Sequence, residues 1–318
     1  VLPEYAVDLY FAWQAGKDPV YTQYATANMT GANRILIGVG WPLVMGAYAL
    51  RSRQATIELD RSQRTELRFL LLATLYCFLI PIKGTLGLFD SLVLVGIFIA
   101  YLKSAAAGDL IEPELAGPAE TVGGLPDGRR RLTVALMFLA AAATIVWAAE
   151  PFAESLLGVG RRLDIEEFIL IQWLAPLASE APEFIVAILF AIRLKPASGF
   201  ATLLSSKVNQ WTLLIGALPI AYALSAGTGD AIALGARQSS EVLLTGAQSL
   251  FAVVLLAPMR FSRLSALALA LLFTAQLIMP SAGARAAFVW IYLGSALAIV
   301  AASTRHRRAL GALLTNKG

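Results

Sequence analysis

Ten apolar stretches separated by short polar connections constrain this chain more than any other feature it has. They cover residues 1–15, 28–50, 66–82, 86–105, 131–150, 165–194, 199–226, 241–258, 263–280 and 284–303. Nine can cross a hydrocarbon layer roughly 30 Å thick as α-helices, and the first is too short to do so alone. Lipid offers no water to satisfy the backbone, so a spanning chain must be helical or a closed barrel. Unbroken apolar runs, as opposed to alternating ones, select the helix. The expected fold is an all-α, polytopic membrane protein. Composition agrees, with 58% hydrophobic and 14% charged residues and a mean hydropathy of +0.70, outside the range of water-soluble domains.

The formal charge of +4 does not imply nucleic acid as a partner, because the basic residues sit in short clusters between apolar runs. Cys77 is the single cysteine and lies inside the apolar run LYCFLI, so no internal disulfide can form. The single histidine, His306, belongs to the basic stretch RHRR. With no Cys/His cluster and no nucleophile–base pair in any span, neither an enzyme nor a resident cofactor is expected. The first stretch lacks the basic and cleavable pattern of a signal peptide, so the sequence is expected to begin inside a span, with at least half a helix before it.

The longest connection, residues 106–130, contains EPELAGPAETVGGLPDGRRR and reads as a solvated linker. It divides the chain into a first repeat over 1–105 and a second over 131–282, followed by an extra helix at 283–303 and a basic tail at 304–318. Of the 25 Lys and Arg, sixteen fall in connections on one side and six on the other, with Arg34, Arg68 and Lys207 inside spans. By the positive-inside rule the richer side, including the linker and the C-terminus, is cytoplasmic, and the expected location is the plasma membrane.

The two halves resemble each other. Leu2–Ala12 (LPEYAVDLYFA) aligns without a gap on Ala181–Ala191 (APEFIVAILFA). Each match is followed by a small and polar helix start that runs into a similar apolar end: ANMTGANRILIG (27–38) and SSKVNQWTLLIG (205–216). A weaker correspondence pairs Glu66 with Glu241. The span order gives the two Pro-Glu helices opposite directions, so the repeats are inverted, as in many secondary transporters. Two inverted five-helix repeats, the first truncated, plus one extra C-terminal helix are therefore expected.

Each repeat sets Pro before Glu in an apolar helix, Pro3 with Glu4 and Pro182 with Glu183. Proline removes a backbone donor and frees carbonyls about one turn earlier, such as those of Ala178 and Ser179. A carboxylate in hydrocarbon is costly unless paired or hydrated, so a duplicated intramembrane Glu is a candidate cation ligand. Asp8, one turn after Glu4, and Glu180, three residues before Glu183, share the acidic faces. The structural alternative is that these acids only pair with Arg34 and Lys207 and hold the bundle together, while Gly31, Ala32, Ser205 and Ser206 mark close helix packing.

This pattern resembles the two α-repeats of the sodium/calcium exchanger superfamily, whose helices carry G-T/S-S-x-P-E and then G-S-N-x-x-N/D before an apolar run. Ser179, Pro182, Glu183, Ser206 and Gln210 fall on the pattern in the second repeat, with the family's interval of 27 residues from Glu183 to Gln210. In the first repeat Leu2, Pro3 and Glu4 match, but two registers stay open. Anchoring on Gly38 sets Asn28 opposite Ser206 and Ala32 opposite Gln210, whereas the GAN triplet makes Asn33 the family's asparagine.

The resemblance implies a transported-cation site of Glu4, Asn28, Asn33, Ser179, Glu183, Ser206 and Gln210, its charge modulated by Asp8, Arg34, Glu180 and Lys207. Lys207 stands where the family has Asn, Gln210 where it has Asn or Asp, and Arg34 adds a second cation. Calcium wants six to eight oxygens and enough negative charge, so these departures favour Na+ or H+ coupling, with Ca2+ as a further candidate. The expectation is a secondary cation antiporter whose partners are the bilayer and small cations. The alternative is a transport-inactive homologue acting as a structural or regulatory membrane subunit. Lys207 or Arg34 is expected within ion-pair reach of Glu183 or Glu4.

Overall fold

The computed structural model describes residues 1–107 and 118–315; the middle of the expected linker and Lys317 of the tail lie outside the described residues. The first half runs α1 (Leu2–Ala15), α2 (Thr22–Ile35), a π-helical turn (Leu36–Gly40), α3 (Trp41–Ser52), β1 (Thr56–Glu58), α4 (Gln63–Cys77), α5 (Leu79–Lys83), β2 (Thr85–Leu86) and α6 (Leu88–Ala106). A short α7 (Pro118–Gly123) leads to the second half, which opens with α8 (Asp127–Leu163), α9 (Glu167–Ser179) and α10 (Ala181–Ile192). It continues with α11 (Pro196–Asn209), a second π-helical turn (Gln210–Leu214), α12 (Ile215–Ala226), β3 (Ile232–Ala233), α13 (Ala236–Leu256), β4 (Arg260–Ser262) and α14 (Arg263–Ile278). Two helices close the chain, α15 (Ala282–Ala302) and α16 (Thr304–Thr315). Residues 127–130 of the expected linker are thus the first turn of α8, and the tail is helical up to Thr315.

Among the described residues six helices are long and apolar enough to span a membrane, or seven if the bent pair α9–α10 is one span. The remaining expected spans fall short for identifiable reasons. The α11–α12 segment carries Ser205, Ser206, Lys207, Asn209 and Gln210 in its middle, α14 has 16 residues, and α1 has 14. The polar residues that depress the hydropathy of α11 are those that the sequence marks as site residues.

Inversion is visible in two small ladders. β1 pairs antiparallel with β4, and β2 with β3. Helix α4 separates β1 from β2 and helix α13 separates β3 from β4, so each ladder joins one strand from each half, at opposite ends of the bundle. The helix packing repeats the exchange: α1 lies on α12, as α10 lies on α3. In both halves a π-helical turn comes shortly before a proline, Pro42 or Pro219, that cannot supply the next ladder hydrogen bond.

The core at the β1–β4 end is aromatic, with Trp41, Phe200 and Phe261 from α3, α11 and β4 stacked at 4.9–6.4 Å between ring centres. Helix α2 approaches α9 so closely that a Cβ on Gly31 would lie 1.7 Å from the carbonyl oxygen of Gln172. Such close approach is what small residues permit between membrane helices. Helix α15 lies along α13, and α8 turns Leu136, Phe138, Leu139 and Trp147 outward.

Candidate ion-binding site

The site forms where two helices start. Pro176 and Pro182 each lack a donor, and between them the helix breaks at Glu180, so that α9 and α10 meet at a bend of 49°. Pro182 has no N–H to offer Ala178, while Glu180 donates its own N–H to the Pro176 carbonyl at 2.8 Å. Across the repeat interface Pro3 occupies the first turn of α1, followed by Glu4. The two acid-bearing helix starts are thus set side by side. A helix start favours negative charge, which partly offsets the cost of burying carboxyls there.

Glu4, Asp8 and Glu180 are all buried, at 0%, 0% and 1% exposure. The Glu4 carboxyl lies beside that of Glu180, close enough for each to act on the other's charge. Among the described residues neither carboxyl oxygen of Glu4 receives a hydrogen bond, and one oxygen of Glu180 also lacks a partner. Gln210 donates its amide to the other Glu180 oxygen and also reaches Ser206 Oγ at 3.4 Å. Asn28 donates to Asp8 Oδ1 at 2.9 Å. Glu183 is partly buried and lies against the main-chain nitrogen of Val1.

The other expected ligands are placed differently. Ser179 Oγ turns back to the Pro176 carbonyl at 3.3 Å. Asn33 donates its amide to the Met29 carbonyl at 2.9 Å and offers both its oxygens to Lys207, the side-chain oxygen at 2.7 Å and the main-chain oxygen at 3.1 Å. The Lys207 ammonium also lies over the Trp211 ring, 4.4 Å from its centre.

The expected pairing of the intramembrane cations with Glu4 or Glu183 is not what the structure contains. Arg34 bonds Glu241 Oε2 at 2.6 Å, stacks on Trp173 at 4.7 Å and donates to the Thr30 carbonyl at 3.3 Å. Arg285 approaches the same carboxylate at 3.6 Å. The reason is geometric: Arg34 follows Asn33 on α2 and points to the α13 side, where Glu241 is a buried acid in need of a counter-charge. In the sequence Glu241 stands only as the weaker counterpart of Glu66, and its pairing with Arg34 was not legible there. The bond from Tyr5 to Asn209, which ties α1 to α11, had no sequence signal at all.

Two facing buried carboxyls, Glu4 with no donor to either oxygen among the described residues, sit at an interface between inverted repeats and mark a candidate cation site of a membrane transporter. The particular family follows from similarity. The chain belongs to the sodium/calcium exchanger protein family, whose model matches residues 1–105 and 133–281. The crystal structure of the H+/Ca2+ exchanger CAX is 45% identical and superposes with a TM-score of 0.94, covering 100% of this chain and 82% of that one. The sodium-calcium exchanger NCX_Mj, 16% identical, superposes with a TM-score of 0.59 over 87% of this chain and 83% of its own. Native YfkE, also 16% identical, gives 0.60 over 86% and 80%; these last two show the shared fold. The sequence matches no curated protein.

Proposed function

We propose that this chain exchanges protons for calcium, using Glu4 and Glu180 as the carboxyls that both ions compete for. One observation carries the reading: the buried carboxyls of Glu4 and Glu180 face each other with no donor for either Glu4 oxygen among the described residues. Two such groups cannot both stay charged in an apolar setting without a cation between them; in its absence at least one takes up a proton. A gap that must hold one or the other cannot be left empty, which ties the exit of one ion to the entry of its rival. Asp8 and Glu183 widen the acidic set, and Gln210, Ser206 and Asn28 supply neutral oxygens beside it.

The pairing of Arg34 with Glu241 removes one of the two cations that argued against a divalent ion. The identity with an H+/Ca2+ exchanger supports calcium as the cargo and the proton as the coupling ion. The same reading sets the arginine-rich β1–β4 end and α16 on the cytoplasmic side.

The test is flux. The purified full-length protein in liposomes should accumulate radioactive calcium when the lumen is acidic, lose that uptake to a protonophore, and show none as Glu4→Gln or Glu180→Gln. Uptake that follows a sodium gradient and ignores pH would contradict the assignment.

A further inference from the structure

We propose that the Lys207 ammonium is a tethered monovalent cation, seated on Asn33 in a subsite that would otherwise take a mobile ion, and that it lowers by one the positive charge the carboxyl cluster carries per cycle. The inference rests on the antiport reading above and specifies its stoichiometry.

Lys207 is fully buried on α11, yet among the described residues it forms no ion pair. Three acceptors converge on it: Asn33 Oδ1 at 2.7 Å, the Asn33 carbonyl at 3.1 Å and the face of Trp211 at 4.4 Å. An ammonium has three donors and no acceptor, so three converging acceptors match its charged form; a neutral amine would waste a lone pair against one of them. Main-chain and side-chain oxygens of one residue converging on a point is also how a protein holds a small monovalent cation. Here the point is filled by a charge the protein carries itself.

The position makes that charge count. Arg34, next to Asn33 in sequence, is neutralised by Glu241, so its charge is spent elsewhere. Lys207 is one residue from Ser206 and three from Gln210, which reaches Glu180. It is the buried cation near Glu4 and Glu180 that has no carboxylate of its own, and in a low-dielectric setting its field offsets part of their charge. A fixed positive charge at a cation site takes the place of one that would have to be carried.

The measurement is the reversal potential of exchange in liposomes at fixed calcium and proton gradients. Lys207→Gln, which keeps a donor toward Asn33, should move one more positive charge per cycle than the parent; Lys207→Arg should match the parent. Asn33→Asp makes the same change from the other side while leaving the lysine paired, and serves if the neutral variant fails to insert. Where a variant folds without turning over, the charge bound at equilibrium, cation taken up less protons released, decides between one more than the parent and the same. The parent's reversal potential in an exchanging variant, or the parent's bound charge in a stalled one, overturns the proposal. A parent that shows no exchange faults the antiport reading alone, because the equilibrium comparison still decides this one.

Discussion

The Arg34–Glu241 cluster and the Glu4–Glu180 cluster share helix α2 as a wall and are built to opposite rules. Around Arg34 partners are in place: a carboxylate at 2.6 Å, a backbone carbonyl at 3.3 Å and the Trp173 ring at 4.7 Å. Around Glu4 no donor arrives among the described residues, although the side chain is equally buried. Burial alone therefore does not separate a functional charge from a structural one in this membrane protein. Satisfaction does: a completed pair has nothing to gain from an ion, while facing carboxyls with open oxygens do.

The largest expected effect tests the unsatisfied side. Glu180→Gln keeps the shape and removes the charge, so exchange should fall to background while the protein still purifies as a folded species. Next in size is the satisfied side, where Glu241→Gln leaves a buried guanidinium without its counter-charge, an effect of about 3–5 kcal/mol. A large drop in Tm is expected, with substantial recovery in the double variant Arg34→Leu with Glu241→Leu. If Glu241→Gln instead abolished exchange at an unchanged Tm, the contrast between the clusters would collapse.

A smaller effect probes the wall between them. Gly31→Ala would set a methyl 1.7 Å from the Gln172 carbonyl, forcing α2 and α9 apart at an overpacking cost of about 1–3 kcal/mol. Thermal scans should register the loss, and calcium affinity should fall because Asn28 is on α2 and Glu180 caps the end of α9.

The smallest effect lies outside the membrane, at Glu58 on β1, whose carboxyl is held below its usual value by the hydrogen bond from Arg260. A depressed carboxyl contributes stability above the ordinary glutamate range and loses it as pH falls through the lowered value. The pair is exposed and screened, so Glu58→Gln should leave the flux unchanged and flatten only the acid limb of the stability profile.

Much of the fold was legible because hydropathy is a one-dimensional property: span positions, the duplicated Pro-Glu and the inverted directions all follow from order along the chain. What could not be read was which side chain faces which. Glu180 meets Glu4 where the helix bends by 49° between two prolines, and the order of residues does not say which of Glu180 and Glu183 such a bend turns inward. Arg34 and Glu241 are 207 residues apart, and Lys207 and Asn33 are 174 apart. Such pairings depend on how α2 is rotated against α11 and α13, which apolar periodicity on helices buried nearly all round does not specify. The family pattern named Asn33 and Gln210 as ligands of the same kind. In the structure one holds the lysine and the other holds Glu180.

The central claim, that one pair of carboxyls holds either protons or calcium, is tested most directly by measuring protons released when calcium binds. Calorimetric titration of the detergent-solubilised protein in buffers of different ionisation enthalpy counts them. The account predicts proton release on calcium binding, an affinity that rises with pH, and loss of that release in Glu4→Gln and Glu180→Gln. Calcium binding that releases no protons, with an affinity indifferent to pH, would contradict it.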